Sequence, residues 1–172
     1  MGRSPDGGAG DDQIGHLGRG HKDNRAVSEA HGEEGGETVN EALTSLLLAD
    51  PPLAALVADR VHWLRLPRRV SGFPYLNLQV ISDPGDYHTL GDSGWHSTRV
   101  QADAWGESYS DAKAVERALR ARLSGWRGVW GGIFFQGVFV VESRDLSDAT
   151  AGEERQLFRI QTDLSIKWAL EA

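Results

Sequence analysis

Between Ser97 and Leu123 the apolar residues change their spacing from every second position to every third or fourth. Val100, Ala102 and Ala104 alternate with Arg99, Gln101, Asp103 and Trp105, which predicts a strand with one buried side. Past Gly106, Ala112, Val115, Ala118 (or Leu119), Arg122 and Leu123 share one helical face. Ser108 and Asp111, three residues apart, form a capping box that satisfies amides at the helix start.

The same rules divide the rest of the chain. Thr38 and Glu41 make a second capping box ahead of Ala42, Leu43, Leu46 and Leu47. Asp50-Pro51-Pro52 ends that helix, because a residue before proline is driven out of the α region, and Leu53 to Ala58 gives a further turn or two. Val61 to Leu66 reads as a short strand, and Pro74 to Ser82 as a longer one with Leu76, Leu78 and Val80 opposite Tyr75, Asn77 and Gln79. Asp83 to Gly94 reads as a long loop between paired strands, and Ser124 to Gly132 as a Gly-punctuated turn carrying Trp126 and Trp130. Ile133 to Val141 is apolar on both sides, the mark of a central strand covered on both faces, and Ser143 to Glu153 is a polar loop. Leu157 to Trp168 alternates most strongly of all. Strands with one long helix inserted predict an α+β fold: a mostly antiparallel sheet of four to five strands with helices packed on one face.

Composition adds a boundary. Residues 1–36 hold 10 of the 21 Gly, with charged residues and almost no large apolar ones, so they form a flexible extension ahead of a domain at 37–172. His16, His21 and His31 lie there at spacings that fit no helical metal pair; a solvated tail, or translation that begins downstream, accounts for them as well. A net charge of −7 argues against a nucleic-acid clamp, the absence of Cys removes disulfides and thiolate chemistry, and no apolar run is long enough to span a membrane. The N-terminus lacks the apolar core of a signal peptide, so the plain reading is a soluble protein made in the cytoplasm.

Candidate chemistry is sparse. The run from Asp83 to His96 holds Asp83, Asp86, His88, Asp92 and His96, from which a metal site or acid–base pair could be drawn. Nothing in the spacing orients them, and long loops of compact domains are commonly contact surfaces, so Asp86, His88, Asp92, Trp95 and His96 are read as contact residues. Trp126, Trp130, Phe134 and Phe135 crowd beside flexible Gly; Trp126, Trp130 and Phe134 are contact candidates, and capping the sheet is the other reading. Trp105 and Tyr109 read as core or edge anchors. Arg117, Arg120, Arg122 and Arg127 read as a solvated helix face, with nucleic-acid contact as the alternative. No phosphate-binding loop, nucleophile elbow, zinc-protease helix or dinucleotide fingerprint is present, so no catalytic, cofactor or metal residue is assigned.

Several stretches, taken in order, resemble the tail-completion (tail-terminator) proteins of long-tailed phages, prophages and gene transfer agents. They are the run Leu46 to Val61 around Ala49-Asp50-Pro51, then Leu66-Pro67 and Phe73-Pro74-Tyr75, then Arg99-Val100-Gln101 with Asp103 and Trp105, then Tyr109-Ser110-Asp111-Ala112. A last strand from Phe158 to Trp168 completes the match. The resemblance implies a non-enzymatic virion protein at the head-proximal end of the tail, which caps the tube, ends its polymerisation and joins it to the head connector. It implies a homo-oligomeric ring of six subunits, with the tail tube protein and a connector or stopper protein as partners and DNA passing through the lumen without specific binding. Two alternatives stay open: a small ligand-binding or metal-dependent domain using residues 83–96, and a head-side stopper or minor tail protein.

Overall fold

The computed structural model describes residues 38–69, 71–147 and 156–171; the extension expected at 1–36 lies outside them. Helix α1 (Val39–Leu48) starts as its sequence dictates. The Thr38 hydroxyl accepts from the Glu41 amide, and the Glu41 carboxylate accepts from the Thr38 amide at 2.8 Å. Asp50 then caps α2 (Pro51–Val57), accepting from the Leu53 amide at 3.1 Å. Pro51 and Pro52 occupy first-turn positions whose missing N–H groups have no helical partner to lose, so one dipeptide ends α1 and begins α2.

The strands are β1 (Val61–Trp63), β2 (Tyr75–Ser82), β3 (Gly85–His88), β4 (Gly91–Gly106), β5 (Gly128–Trp130), β6 (Ile133–Ser147) and β7 (Phe158–Leu170), with α3 (Tyr109–Leu123) between β4 and β5. They form one sheet in the order β1-β2-β4-β7-β6-β5, with β3 paired to β4. The fold is α+β as expected. The sheet has seven strands rather than four to five, and it is mixed: β1 runs parallel to β2 while every other pairing is antiparallel. Three of the seven strands are only three or four residues long, too short for any periodicity to announce them.

Two further expectations are corrected. The segment from Asp83 to Gly94 is not a long loop but the β3–β4 hairpin, in which Tyr87 pairs with Asp92 and His88 with Gly91. Both of its faces are exposed, so no apolar alternation marks it. Nor is β6 a central strand covered on both sides. It lies next to the edge, continues through the stretch expected to be a loop as far as Ser147, and leaves Phe139 and Val141 more than half exposed. Register shifts at Phe135/Gly137 and Val140/Glu142 each insert an extra residue, which breaks the alternation and mixes inward with outward positions in the sequence.

The core lies between the three helices and one face of the sheet. Leu43, Leu46, Leu47, Leu53, Val115 and Leu119 meet Leu76, Leu78, Ala102, Phe135, Ile160 and Leu164, all fully buried or nearly so. Each such leucine contributes about 2 kcal/mol over an exposed one. Two indoles clamp α1: Trp63 donates to the Thr44 hydroxyl at 2.9 Å and Trp130 to the Ser45 hydroxyl at 2.8 Å. Glu116 of α3 is a charged residue buried at this layer, 2 % exposed, held by Arg120, Lys113 and the Ser143 hydroxyl.

Candidate functional site

Among the described residues no helix packs on the opposite face of the sheet. On it stand Tyr75, Asn77 and Gln79 of β2; Arg99, Gln101, Asp103 and Trp105 of β4; Arg159, Gln161 and Asp163 of β7; and Glu142 and Arg144 of β6. Two carboxylates organise it. Asp103 accepts from Arg159 at 2.8 Å and from the Gln101 amide. Asp163 faces both Arg99, at 3.3 Å, and Arg144, at 3.5 Å, and accepts from Gln161. Neighbouring side chains bury both acids almost completely, while Arg99 and Arg144 stay about half exposed. The face thus shows solvent a layer of guanidinium and amide groups over satisfied carboxylates.

Aromatic rings close both ends of this polar field. At one end Tyr75 stacks on Trp105 with centroids 6.0 Å apart, and the Arg159 guanidinium lies 5.4 Å from the Trp105 ring. Burial pushes the Tyr75 hydroxyl above its ordinary pKa and the Asp103 charge adds to the shift, while Arg159 opposes it. At the other end Trp95 meets Phe134 edge-on at 6.2 Å, and the Phe139 ring covers Gly137 so closely that a Cβ there would come within 2.7 Å of it.

The expected contact residues divide between two places. Asp86, His88, Asp92, Trp95 and His96 lie on the β3–β4 hairpin. Asp86 accepts from the Ser93 hydroxyl and Asp92 from the Gly94 amide, and the His88 ring accepts from the Leu90 amide. Trp95 is 40 % exposed and reaches Phe134, whereas His96 lies flat on Trp168 with centroids 4.0 Å apart. Trp126 and Trp130 lie elsewhere, half-buried against the core. Trp126 packs edge-on against Phe135 under the Arg122 guanidinium. The structure therefore joins Phe134 to the hairpin group and separates Trp126 and Trp130 from it. Trp105 stands near the end of the interior strand β4 between Tyr75 and Arg159, and Tyr109 opens α3, donating to Asp145 at 3.0 Å.

The sequence reading gave no role to Arg144 or Arg159; Arg159, between Phe158 and Ile160, carried the signal of alternation, whereas Arg144, between Ser143 and Asp145 in a stretch read as a loop, carried none. The strand expected from Val61 to Leu66 ends at Trp63, so Leu64 to Arg69 is a connection that carries Arg65, Arg68 and Arg69 on the surface, and Tyr87 and Leu90, which the sequence reading left out, stand at the hairpin tip. Among the described residues no three of His, Asp and Glu converge in a way that could hold a metal ion, and no helix there is long and apolar enough to cross a membrane. What the surface offers is an ordered polar face and a projecting hairpin.

Residues 41–167 match the family described as Tail completion protein gp17. The chain belongs to this family. A structural neighbour agrees at the level of fold: a chain of the structure "Virion of native gene transfer agent (GTA) particle" superposes with a TM-score of 0.54 at 22% identity, over 76% of this chain and 94% of that one. No curated protein matches the chain. The tail-completion match begins inside α1 and ends within β7, so it takes in every element that builds the polar face and the hairpin.

Proposed function

We propose that this tail-completion protein is a structural, non-enzymatic part of a phage-like particle. It sits at the head-proximal end of the tail, caps the tube, stops its polymerisation and joins it to the head connector. The observation that carries this reading is the family match over residues 41–167, most of the folded part. The domain at 37–172 assembles into a ring, six subunits by family resemblance, through head-to-tail contacts that close by rotation. The broad polar face suits such a contact, since its carboxylates are already paired and Arg99 and Arg144, half exposed, keep further N–H groups for an outward partner. DNA crosses the lumen without specific binding.

Deletion of the gene from a particle-producing strain tests the reading, with electron microscopy of the lysate and complementation in trans. Filled heads separate from tails of abnormal length are the expected result. Heads separate from tails of normal length would instead make it a head-side stopper or connector, and normal joined particles would remove the reading.

A further inference from the structure

Two exposed elements of the fold carry opposite charge, and neither makes an ion pair among the described residues. The first is the connection after β1. Leu64 has φ +67°, a left-handed backbone that a branched residue rarely adopts, and its side chain is 69 % exposed. Arg65, Arg68 and Arg69 follow on the surface, and none makes an ion pair among the described residues. Trp63, Leu64, Leu66 and Pro67 with Arg65 and Arg68 line an open hollow of about 520 Å³.

The second element is the tip of the β3–β4 hairpin. Leu90 is 92 % exposed and Tyr87 73 %, so the turn presents an apolar knob to water. Asp86 and Asp92 flank it, and from Ile81 to His96 there is no Lys or Arg. Their carboxylates accept only from a hydroxyl and an amide of the hairpin itself. Each element thus holds what the other lacks: an apolar knob with acids on one, an apolar hollow with arginines on the other.

We propose that the hairpin tip of one copy docks in the Trp63–Arg68 hollow of the next. Leu90 and Tyr87 cover Leu64 and Leu66, and Asp86 and Asp92 pair with Arg65, Arg68 and Arg69. The contact is heterologous, so each copy contributes one element to each neighbour and a chain of such contacts closes into a ring. The inference rests on the ring reading above and names the surfaces that make it.

The experiment uses two variants of the full chain. One carries Arg65→Glu, Arg68→Glu and Arg69→Glu; the other carries Asp86→Lys and Asp92→Lys. Every changed side chain is exposed, and circular dichroism checks that both variants fold. Light scattering after size-exclusion chromatography reads the oligomer across a concentration series. Each variant alone needs at least about tenfold more protein to assemble than the wild-type chain, and added salt weakens the wild type in the same direction. Mixing the two variants restores assembly, because the reversed connection of one meets the reversed hairpin of the other. Assembly of the single variants at wild-type concentrations overturns the docking but leaves the ring. Failure of the mixture to assemble, after both single variants have lost assembly, also overturns it and assigns these surfaces to a different partner. A wild-type chain that stays monomeric at every concentration removes both the ring and the contact.

Discussion

Arg159 donates to Asp103 at 2.8 Å diagonally across the β4–β7 pair, while its guanidinium lies 5.4 Å from the ring of Trp105, the residue directly opposite it. One arginine thereby satisfies a buried acid and covers an indole. Arg159→Ala leaves Asp103, 5 % exposed, with only the Gln101 amide, and an uncompensated carboxylate at that depth costs about 2–3 kcal/mol. Arg144→Ala costs less than about 1 kcal/mol, because Arg144 is half exposed and Arg99 remains on Asp163. Urea midpoints of the two variants test the order; equal midpoints would show that the acid is hydrated rather than held.

Much of this architecture was legible wherever one strand face is buried. β4 and β7 alternate over long runs because helices cover one of their sides, and the caps at Thr38 and Ser108 sit where their side chains predict. What escaped was set by pairing partners rather than by local pattern. The hairpin of β3 has both faces in solvent, β5 is three residues inside a Gly-rich turn, and β6 carries two register shifts that scramble its alternation. The candidate contact residues were drawn from composition, so proximity in sequence could not reveal that Phe134 belongs with Trp95 while Trp126 and Trp130 pack on the core side.

Glu116 predicts a pH dependence. Burial is the largest influence and would raise its carboxyl, but the hydrogen bonds and charges of Arg120 and Lys113 together outweigh it and hold the carboxyl below its ordinary value of 4.5. A native carboxyl that gives up its proton more readily than the unfolded one stabilises the fold above that ordinary value, and the contribution is lost as the pH falls through the native pKa. Glu116→Gln should cost about 1–2 kcal/mol at pH 7 and lose less stability than the wild type between pH 4.5 and 3. Melting temperatures across that range decide it. Parallel acid losses in the two proteins would assign the acid sensitivity to other carboxylates.

A short relay fixes the root of the hairpin. The Trp168 indole donates to the Thr98 hydroxyl at 2.7 Å, and that hydroxyl donates to Asp83 at 2.7 Å. Thr98 is 1 % exposed, so Thr98→Val strands the indole N–H in the core and releases Asp83 at about 1–3 kcal/mol. Hydrogen exchange should quicken through residues 83–96 more than in α1. A uniform change would mean that the relay stabilises the whole sheet and does not hold the hairpin in particular.

Gly106, the last residue of β4 before the turn into α3, has no room for a side chain. A Cβ there would lie 2.7 Å from the Ala112 amide nitrogen and 2.9 Å from the Ser108 carbonyl oxygen, both backbone atoms of the helix start. Gly106→Ala should therefore cost about 2 kcal/mol or more, against about 1 kcal/mol for Gly125→Ala, where the space is open but a φ of +72° strains any residue that carries a Cβ. Chemical denaturation of the pair checks the contrast, and a mild Gly106→Ala would show that the strand-to-helix corner yields.

The parallel pairing of β1 with β2 has an evolutionary consequence. Parallel neighbours cannot be joined by a tight turn, so the chain leaving Trp63 must travel back before it enters at Tyr75. That return path is obligatory in existence but free in composition, for none of the exposed residues between Leu64 and Arg69 contributes to the core. Mutations can rewrite its charge or lengthen it while the sheet keeps its register. A lineage of such proteins can therefore vary this surface without learning to fold again.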